Sequence, residues 1–454
     1  MNTQSLFESS YLARYLLLNA VDITDYKVFP EREIQNSPPA FHFLYSGNDD
    51  AMPVLNESVV AYAKTGESMD QFLERNATVA FLVLKNDRVL YERYYNGYSR
   101  ASICTSFSTV KSFVSALIGI ALHEKLIAGL DDAVSKYLPE LTSPHWSAIT
   151  IRHLVSMSSG LKYKAGSFFP WSDEPRTYYA LDLRSLASEA KKLESPGQHF
   201  HYNNYNLILL GMLLERVTGE NVSTYLQERI WKPLGMEFPA SWSLDSQQNG
   251  MEKMESGLNA RAIDFAKFGH LYLRQGNWDG KQVIPESWVA ESTIVDPDAK
   301  WTNYKYLWWI PHSGKGRFMA VGNLGQFIYI APDKDCMILR FGRGKPNTVI
   351  LAGNYGEAGA FDLYGDEYGL PRMITGTNSM WYRGYGQPEP ETVIVVGFER
   401  DYAGQFFKQC EYAGTVTNRY NVKNEETKFH TGLYICREPR QPWSEMWPKM
   451  QWFQ

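Results

Sequence analysis

Ser108-Thr109-Val110-Lys111 leads into an uncharged, helix-like run from Ser112 to Leu122, and no other stretch constrains the chain as much. A serine and a lysine three apart share one face of a helix, so the amine can lie beside the hydroxyl and take its proton. Held dry by apolar neighbours, such a lysine loses proton affinity and becomes a base near neutral pH. This is the S-x-x-K pattern of serine acyl-transfer chemistry. Ser159-Gly160-Leu161-Lys162 and Ser188-Glu189-Ala190-Lys191 match the same pattern. Gly160 suits a turn, and Ala187 to Lys192 is charged and reads as a solvated helix face. Only Ser108 precedes a helix able to bury its lysine.

Two further segments carry chemistry. Pro196-Gly197 precedes a polar turn containing Tyr202-Asn203-Asn204, which leads into the apolar stretch Leu207 to Leu214. A phenol and an amide placed there can point into a cleft. Tyr94-Tyr95-Asn96 also matches Tyr-x-Asn, so the tripeptide gains meaning only beside Ser108. The second segment, Ala320 to Gln326, contains Gly322-Asn323-Leu324-Gly325 and enters the apolar run Phe327 to Ala331. A Pro332-Asp333-Lys334-Asp335 turn and the run Cys336 to Phe341 follow, which predicts an antiparallel hairpin. Glycines at the entry of its first strand would let a substrate lie against the backbone.

In this order the three segments resemble the serine β-lactamase and penicillin-recognising hydrolase family, nearest its class C-like, esterase-like and 6-aminohexanoate-dimer-hydrolase-like members. Ile149 to Leu161, Pro233-Leu234-Gly235-Met236, Arg261 to Gly269 and Trp308-Trp309 support the resemblance, which spans roughly residues 28 to 343. It implies an α+β fold, an antiparallel sheet flanked by helices with an all-helical half opposite. It implies Ser108 as the nucleophile of an acyl-enzyme, with Lys111 and Tyr202 sharing and relaying its proton. Asn204 would orient the lysine side, and the backbone N–H groups of Ser108 and Gln326 would form an oxyanion hole worth about 3 to 4 kcal/mol per donor. Where β-lactamases carry Lys-Thr-Gly, this chain has Asn323-Leu324-Gly325, a neutral amide in place of a cation. Esters or simple amides are therefore expected before β-lactams, with a β-lactamase or penicillin-binding D-peptidase as the alternative. No separate glutamate is assignable as a deacylating base.

Tyr163, Phe168, Phe169, Trp171, Asp173, Tyr178 and Tyr179 crowd a Pro-interrupted stretch. They either roof a substrate pocket or pack on their own scaffold. Asn323, Gly325, Tyr163, Trp171, Asp173 and Tyr178 are the substrate-binding candidates.

The 454 residues are 44% hydrophobic, enough for a sizeable core, and the net charge of −5 leaves no basic footprint for nucleic acid. The expected partner is a small ester, amide or short peptide. No run reaches the roughly eighteen apolar residues that span a membrane, and the start of the chain lacks a signal-peptide pattern. The expected location is cytoplasmic for a complete chain and the cell envelope for one with an upstream segment. Cys104, Cys336, Cys410 and Cys436 lack metal-ligand spacing and read as free buried thiols, Cys104 at a strand end. No metal or other cofactor is expected.

Residues 1 to 70, rich in proline and polar groups, predict an extended N-terminal wrap, and 71 to 343 the hydrolase-like domain. Thr78 to Leu84 and Arg88 to Tyr95 flank Asn86-Asp87 as a hairpin that should join the Gln326 to Phe341 hairpin in one sheet. Helices are expected over 109–125, 149–158, 204–217 and 261–274. Gly344 to Asn347 reads as a linker to a small α/β accessory domain over 348–454, with a helix from Tyr402 to Tyr412. That stretch resembles the soluble C-terminal part of bacterial dolichyl-phosphate-mannosyltransferase-like glycosyltransferases through Asn354 to Ala360 and Tyr434 to Arg437, and no catalytic residue is carried over. Either Gly356 to Tyr364 or Trp443 to Phe453 would replace the helix that usually ends the hydrolase domain. Two function classes follow: a serine hydrolase working through Ser108, or a catalytically quiet binding or sensor protein working through 348–453.

Overall fold

A computed structural model describes residues 10–17, 21–46, 67–164, 171–295, 300–311, 315–343, 348–364, 373–377, 380–381, 384–385, 390, 392–415 and 432–451. The chain forms two compact units, Met1–Arg343 and Gly344–Gln454.

The first unit is built on an eight-stranded sheet. Its centre is β1 (Thr78–Lys85), β2 (Arg88–Tyr94), β3 (Phe318–Gly322), β4 (Gln326–Ala331) and β5 (Cys336–Gly342), in the order β3-β4-β5-β1-β2. Tyr304–Lys305 and Trp308–Trp309 extend the β3 edge, and Leu44–Tyr45 lies parallel to β2 at the other edge. The β1–β2 turn uses Asn86 at φ 49° and Asp87 at φ 61°, residues that tolerate the left-handed backbone a two-residue hairpin needs. The two expected hairpins join through β5 and β1, with Leu339 opposite Leu82.

Helices α1 (Val110–His123), α2 (Asn204–Thr218) and α3 (Ala262–Leu273) lie close to their predicted spans. Helix α1 is buried from Val110 to Ala121, which explains a sequence with no solvent-facing stripe. Phe113 stacks on Phe268 of α3 at 3.6 Å between centroids and meets Phe265 edge-on. Ile151–Val155, shorter than the predicted 149–158, is a single helical segment that begins at a Thr150 cap.

A second, four-stranded sheet positions the site. Its order is Glu31–Ile34, Ala240–Ser243, Leu258–Arg261, Ile103–Thr105. The N-terminal region therefore supplies a strand, and a helix, Tyr11–Leu17, precedes it. Ser106 N–H donates to the Leu258 carbonyl at 2.8 Å, so this sheet delivers the chain to Ser108 at a fixed height. Cys104 is buried at the strand end, as expected.

The second unit is a mixed sheet in the order Met373–Ile374, β6 (Thr348–Ala352), β7 (Thr392–Val396), β9 (Gly432–Pro439), β8 (Phe407–Thr415). The expected helix over 402–412 is corrected: a helix spans Arg400–Phe406, and Phe407 onward pairs with β9 as a strand. The reading of four free thiols is corrected as well. Cys410 and Cys436 stand opposite each other across β8 and β9 and form a disulfide, a pairing that a sequence separation of 26 does not reveal. Trp443, Met446 and Trp447 belong to this unit's own core. The linker residues 344–347 lie outside the described residues. Among the described residues no helix is long and apolar enough to cross a membrane, and no group of acidic, histidine or cysteine side chains could hold a metal ion.

Candidate active site

Ser108 sits in a 3-10 turn, Phe107–Thr109, that runs directly into α1. Phe107 takes φ 43°, a left-handed conformation unfavourable for a bulky residue and found where a site requires it. One helical turn on, Lys111 is 2% exposed. Its Nζ donates to Ser108 Oγ at 2.8 Å and to the Glu255 carbonyl at 2.9 Å. Burial pushes the amine from the ordinary lysine value down to about 7, against the opposing pull of the Glu255 and Glu174 carboxylates. The amine is thus poised between acid and base near neutrality.

Tyr202 completes the cluster. The Lys111 Nζ lies 5.0 Å from its ring centroid. Burial pushes the phenol well above its ordinary value while the Ser108 contact pulls the other way, so Tyr202 stays protonated at neutral pH. Tyr304 and Trp309 hold the ring, at 6.1 Å and 5.7 Å between centroids.

Asn203 caps α2 by accepting from Tyr205 N–H at 2.9 Å, which places Asn204 in the first turn. Asn204 Nδ2 donates to the Tyr163 hydroxyl at 2.9 Å and more weakly to Thr177. Its Oδ1 is buried without a partner among the described residues. The bonds that orient Lys111 come from Ser108 and Glu255; those of Asn204 run to Tyr163 and Thr177.

On the β3 side the approach is made by Gly322. A Cβ there would stand 2.6 Å from the Ser106 carbonyl and 3.2 Å from Ser108 N, so the backbone needs glycine. Asn323-Leu324-Gly325 forms the turn between β3 and β4, where exposed Asn323 accepts from Leu324 N–H at 3.0 Å. Gly325 takes φ 82°, and its carbonyl accepts from Arg340 at 2.7 Å. The Gln326 N–H, expected in the oxyanion hole, is instead donated to the Asn323 carbonyl. Its side chain is locked onto Gly342 at 2.7 Å and 3.0 Å. The tight turn consumes that amide.

The aromatic stretch divides. Tyr163 is buried beside Asn204, and Asp173 accepts from Tyr205 and from Lys164 N–H, both at 2.7 Å. Trp171 is 76% exposed. Tyr178 donates to Asp25 at 2.6 Å and packs under Lys253. Phe168 and Phe169 lie outside the described residues. Sequence reasoning missed Glu255, 144 positions from Lys111, and Glu174; neither belongs to a recognisable local pattern.

The β-lactamase family model matches residues 67–358. The 6-aminohexanoate-dimer hydrolase of Paenarthrobacter ureafaciens is 27% identical over 324 residues, covering 65% of this chain and 80% of that protein. A Bacillus anthracis structure described as a candidate 6-aminohexanoate-dimer hydrolase superposes with a TM-score of 0.63 at 25% identity, covering 82% of this chain and 98% of that one. EstCE1, a hydrolase with promiscuous acyltransferase activity, shares the fold at a TM-score of 0.51 and 17% identity, over 65% of this chain and 93% of its own. None of these matches supports the glycosyltransferase resemblance of the C-terminal stretch. With a family match over more than half its length, the chain belongs to the β-lactamase family.

Proposed function

We propose that this protein is a serine hydrolase that cleaves a linear ester or amide through an acyl-enzyme on Ser108. The observation that carries the reading is the buried Lys111 amine, 2.8 Å from Ser108 Oγ. Neutral Lys111 takes the hydroxyl proton as Oγ attacks the carbonyl carbon. The negative charge that forms on the carbonyl oxygen is met by backbone N–H groups, Ser108 and, in place of Gln326, Asn323, which directly follows Gly322. Protonated Tyr202 gives its proton to the leaving group and recovers one from Lys111. Water then attacks the acyl group by the same relay in reverse.

One feature favours a linear substrate. Asn323 spends its carbonyl on the neighbouring Leu324 amide and offers no positive charge to a penicillin-type carboxylate. The name of the Paenarthrobacter relative points the same way.

Intact-mass spectrometry after separate exposure to a fluorophosphonate, a p-nitrophenyl ester and a penicillin tests the reading. A single phosphonyl adduct on Ser108, ester turnover and no lasting penicillin adduct are expected. A lasting penicillin adduct would move the protein to the penicillin-binding branch, and no adduct on folded protein would favour the catalytically quiet alternative. Gly322→Ala offers a second check. Its Cβ must displace the Ser106–Ser108 backbone, so ester turnover should fall by about 10² to 10³, the loss typical of a spoiled oxyanion donor. Unchanged kcat would show that β3 does not border the reacting carbonyl.

A further inference from the structure

Behind Lys111 the interior holds two charges that the proposed mechanism does not use. Lys253 and Glu255 are each 2% exposed, with Nζ 3.3 Å from Oε1. Burying two ions costs several kcal/mol each before their attraction is counted, and a well-packed apolar pair is often the more stable choice. Stability alone therefore does not explain this pair. Its placement supplies a reason: the backbone carbonyl of the same Glu255 accepts from Lys111 Nζ at 2.9 Å.

The surroundings fix both partners. Gly257 N–H and the Trp242 indole both donate to the Lys253 carbonyl, at 2.8 Å and 3.0 Å, closing a tight turn that sets where the Glu255 carbonyl points. Ser256 Oγ donates to Glu255 Oε1 at 2.8 Å, while Oε2 is buried without a partner among the described residues. Lys253 donates to the Tyr178 carbonyl and lies over two rings, Tyr178 at 4.1 Å and Phe29 at 4.5 Å. Phe29 comes from the N-terminal region, and Tyr178 is anchored on Asp25 of that region. The wrap thus covers the far side of the pair.

We propose that Glu255, neutralised by Lys253, is a positioning residue for Lys111: its carbonyl aims the amine at Ser108, and its carboxylate supplies the field in which the amine works. The inference rests on the Ser108–Lys111 reading above. The groups facing Lys111 are Ser108 and Tyr202 at the cleft, Glu174 from the aromatic stretch, and Glu255 backed by Lys253. Lys253 in turn feels Arg14 and Asp25. A carboxylate near an amine favours its protonated form, so removing that charge lowers the pH at which Lys111 becomes a base.

The test is the rate of fluorophosphonate labelling at Ser108 as a function of pH. Glu255→Gln keeps shape and backbone but leaves Lys253 uncompensated. The double variant Lys253→Met/Glu255→Gln leaves no buried charge and guards against loss of fold. Both should retain the parent's circular dichroism, and the acid limb of labelling should move down by about half a pH unit or more. A purely structural role would lower the amount of folded protein without moving the limb. An unmoved limb in the folded double variant would overturn the inference and leave the hydrolase reading standing. If the parent itself takes no label at Ser108 at any pH, the hydrolase reading is what fails.

Discussion

Ser108→Ala is expected to lower ester turnover by on the order of 10⁴ or more and to abolish phosphonylation, with the fold unchanged. The magnitude follows from removing the one atom that bonds to the substrate; residual rate then comes only from binding and the oxyanion donors. The structural cost is small. Ser108 stands in a turn at a cleft, and its loss leaves Lys111 still bonded to the Glu255 carbonyl at 2.9 Å. One hydrogen bond is given up, a change of about 1 kcal/mol in stability. Turnover and thermal unfolding measured on the same preparation separate the two effects. Turnover within tenfold of the parent would remove Ser108 from the mechanism.

Lys111→Met should cost about 10² to 10⁴ in turnover, the usual share of a general base, and should change the pH dependence in kind. In the parent, activity rises as pH passes through about 7, where the buried amine loses its proton. In the variant that rise is absent. Stability depends on the same amine. The folded chain holds the Lys111 proton less tightly than the unfolded chain does, so between about 7 and the ordinary value of 10.5 the unfolded state binds more protons and folding gains as pH rises. Below about 7 the penalty of a buried cation is complete. Methionine keeps the length of the stem without that penalty, so the variant should unfold at the same temperature as the parent or higher, most clearly at pH 6. A variant that is both inactive and unfolded would show that the amine is needed for packing.

The features legible in the sequence are those set by short-range geometry. Ser108 and Lys111 share a helical face because they are three residues apart, and the uncharged run after them requires burial of the lysine. The Asn86-Asp87 and Pro332 to Asp335 turns announce their hairpins. Tyr202 follows from a polar turn ahead of an apolar helix. Each of these needs only backbone periodicity and turn chemistry, which any single sequence carries.

What the chain order leaves open was decided by packing and register. Tyr178 had the composition of a pocket residue, yet its hydroxyl reaches Asp25 and its ring lies under Lys253. Gly322, immediately before the β3–β4 turn at Asn323 to Gly325, makes the close approach to Ser108, and the tightness of that turn takes the Gln326 N–H out of service. Cys410 meets Cys436 only because β8 and β9 pair in that register. Glu255 reaches Lys111 from 144 positions away. The sequence by itself determined the serine proposed as nucleophile, its neighbouring amine and the strands and helices that carry them, because these depend on residues within a turn or two of one another. Only the tertiary structure decided which distant carbonyl, carboxylate and glycine complete the site, because those contacts come from side-chain packing between elements whose spacing along the chain places no limit on where they meet.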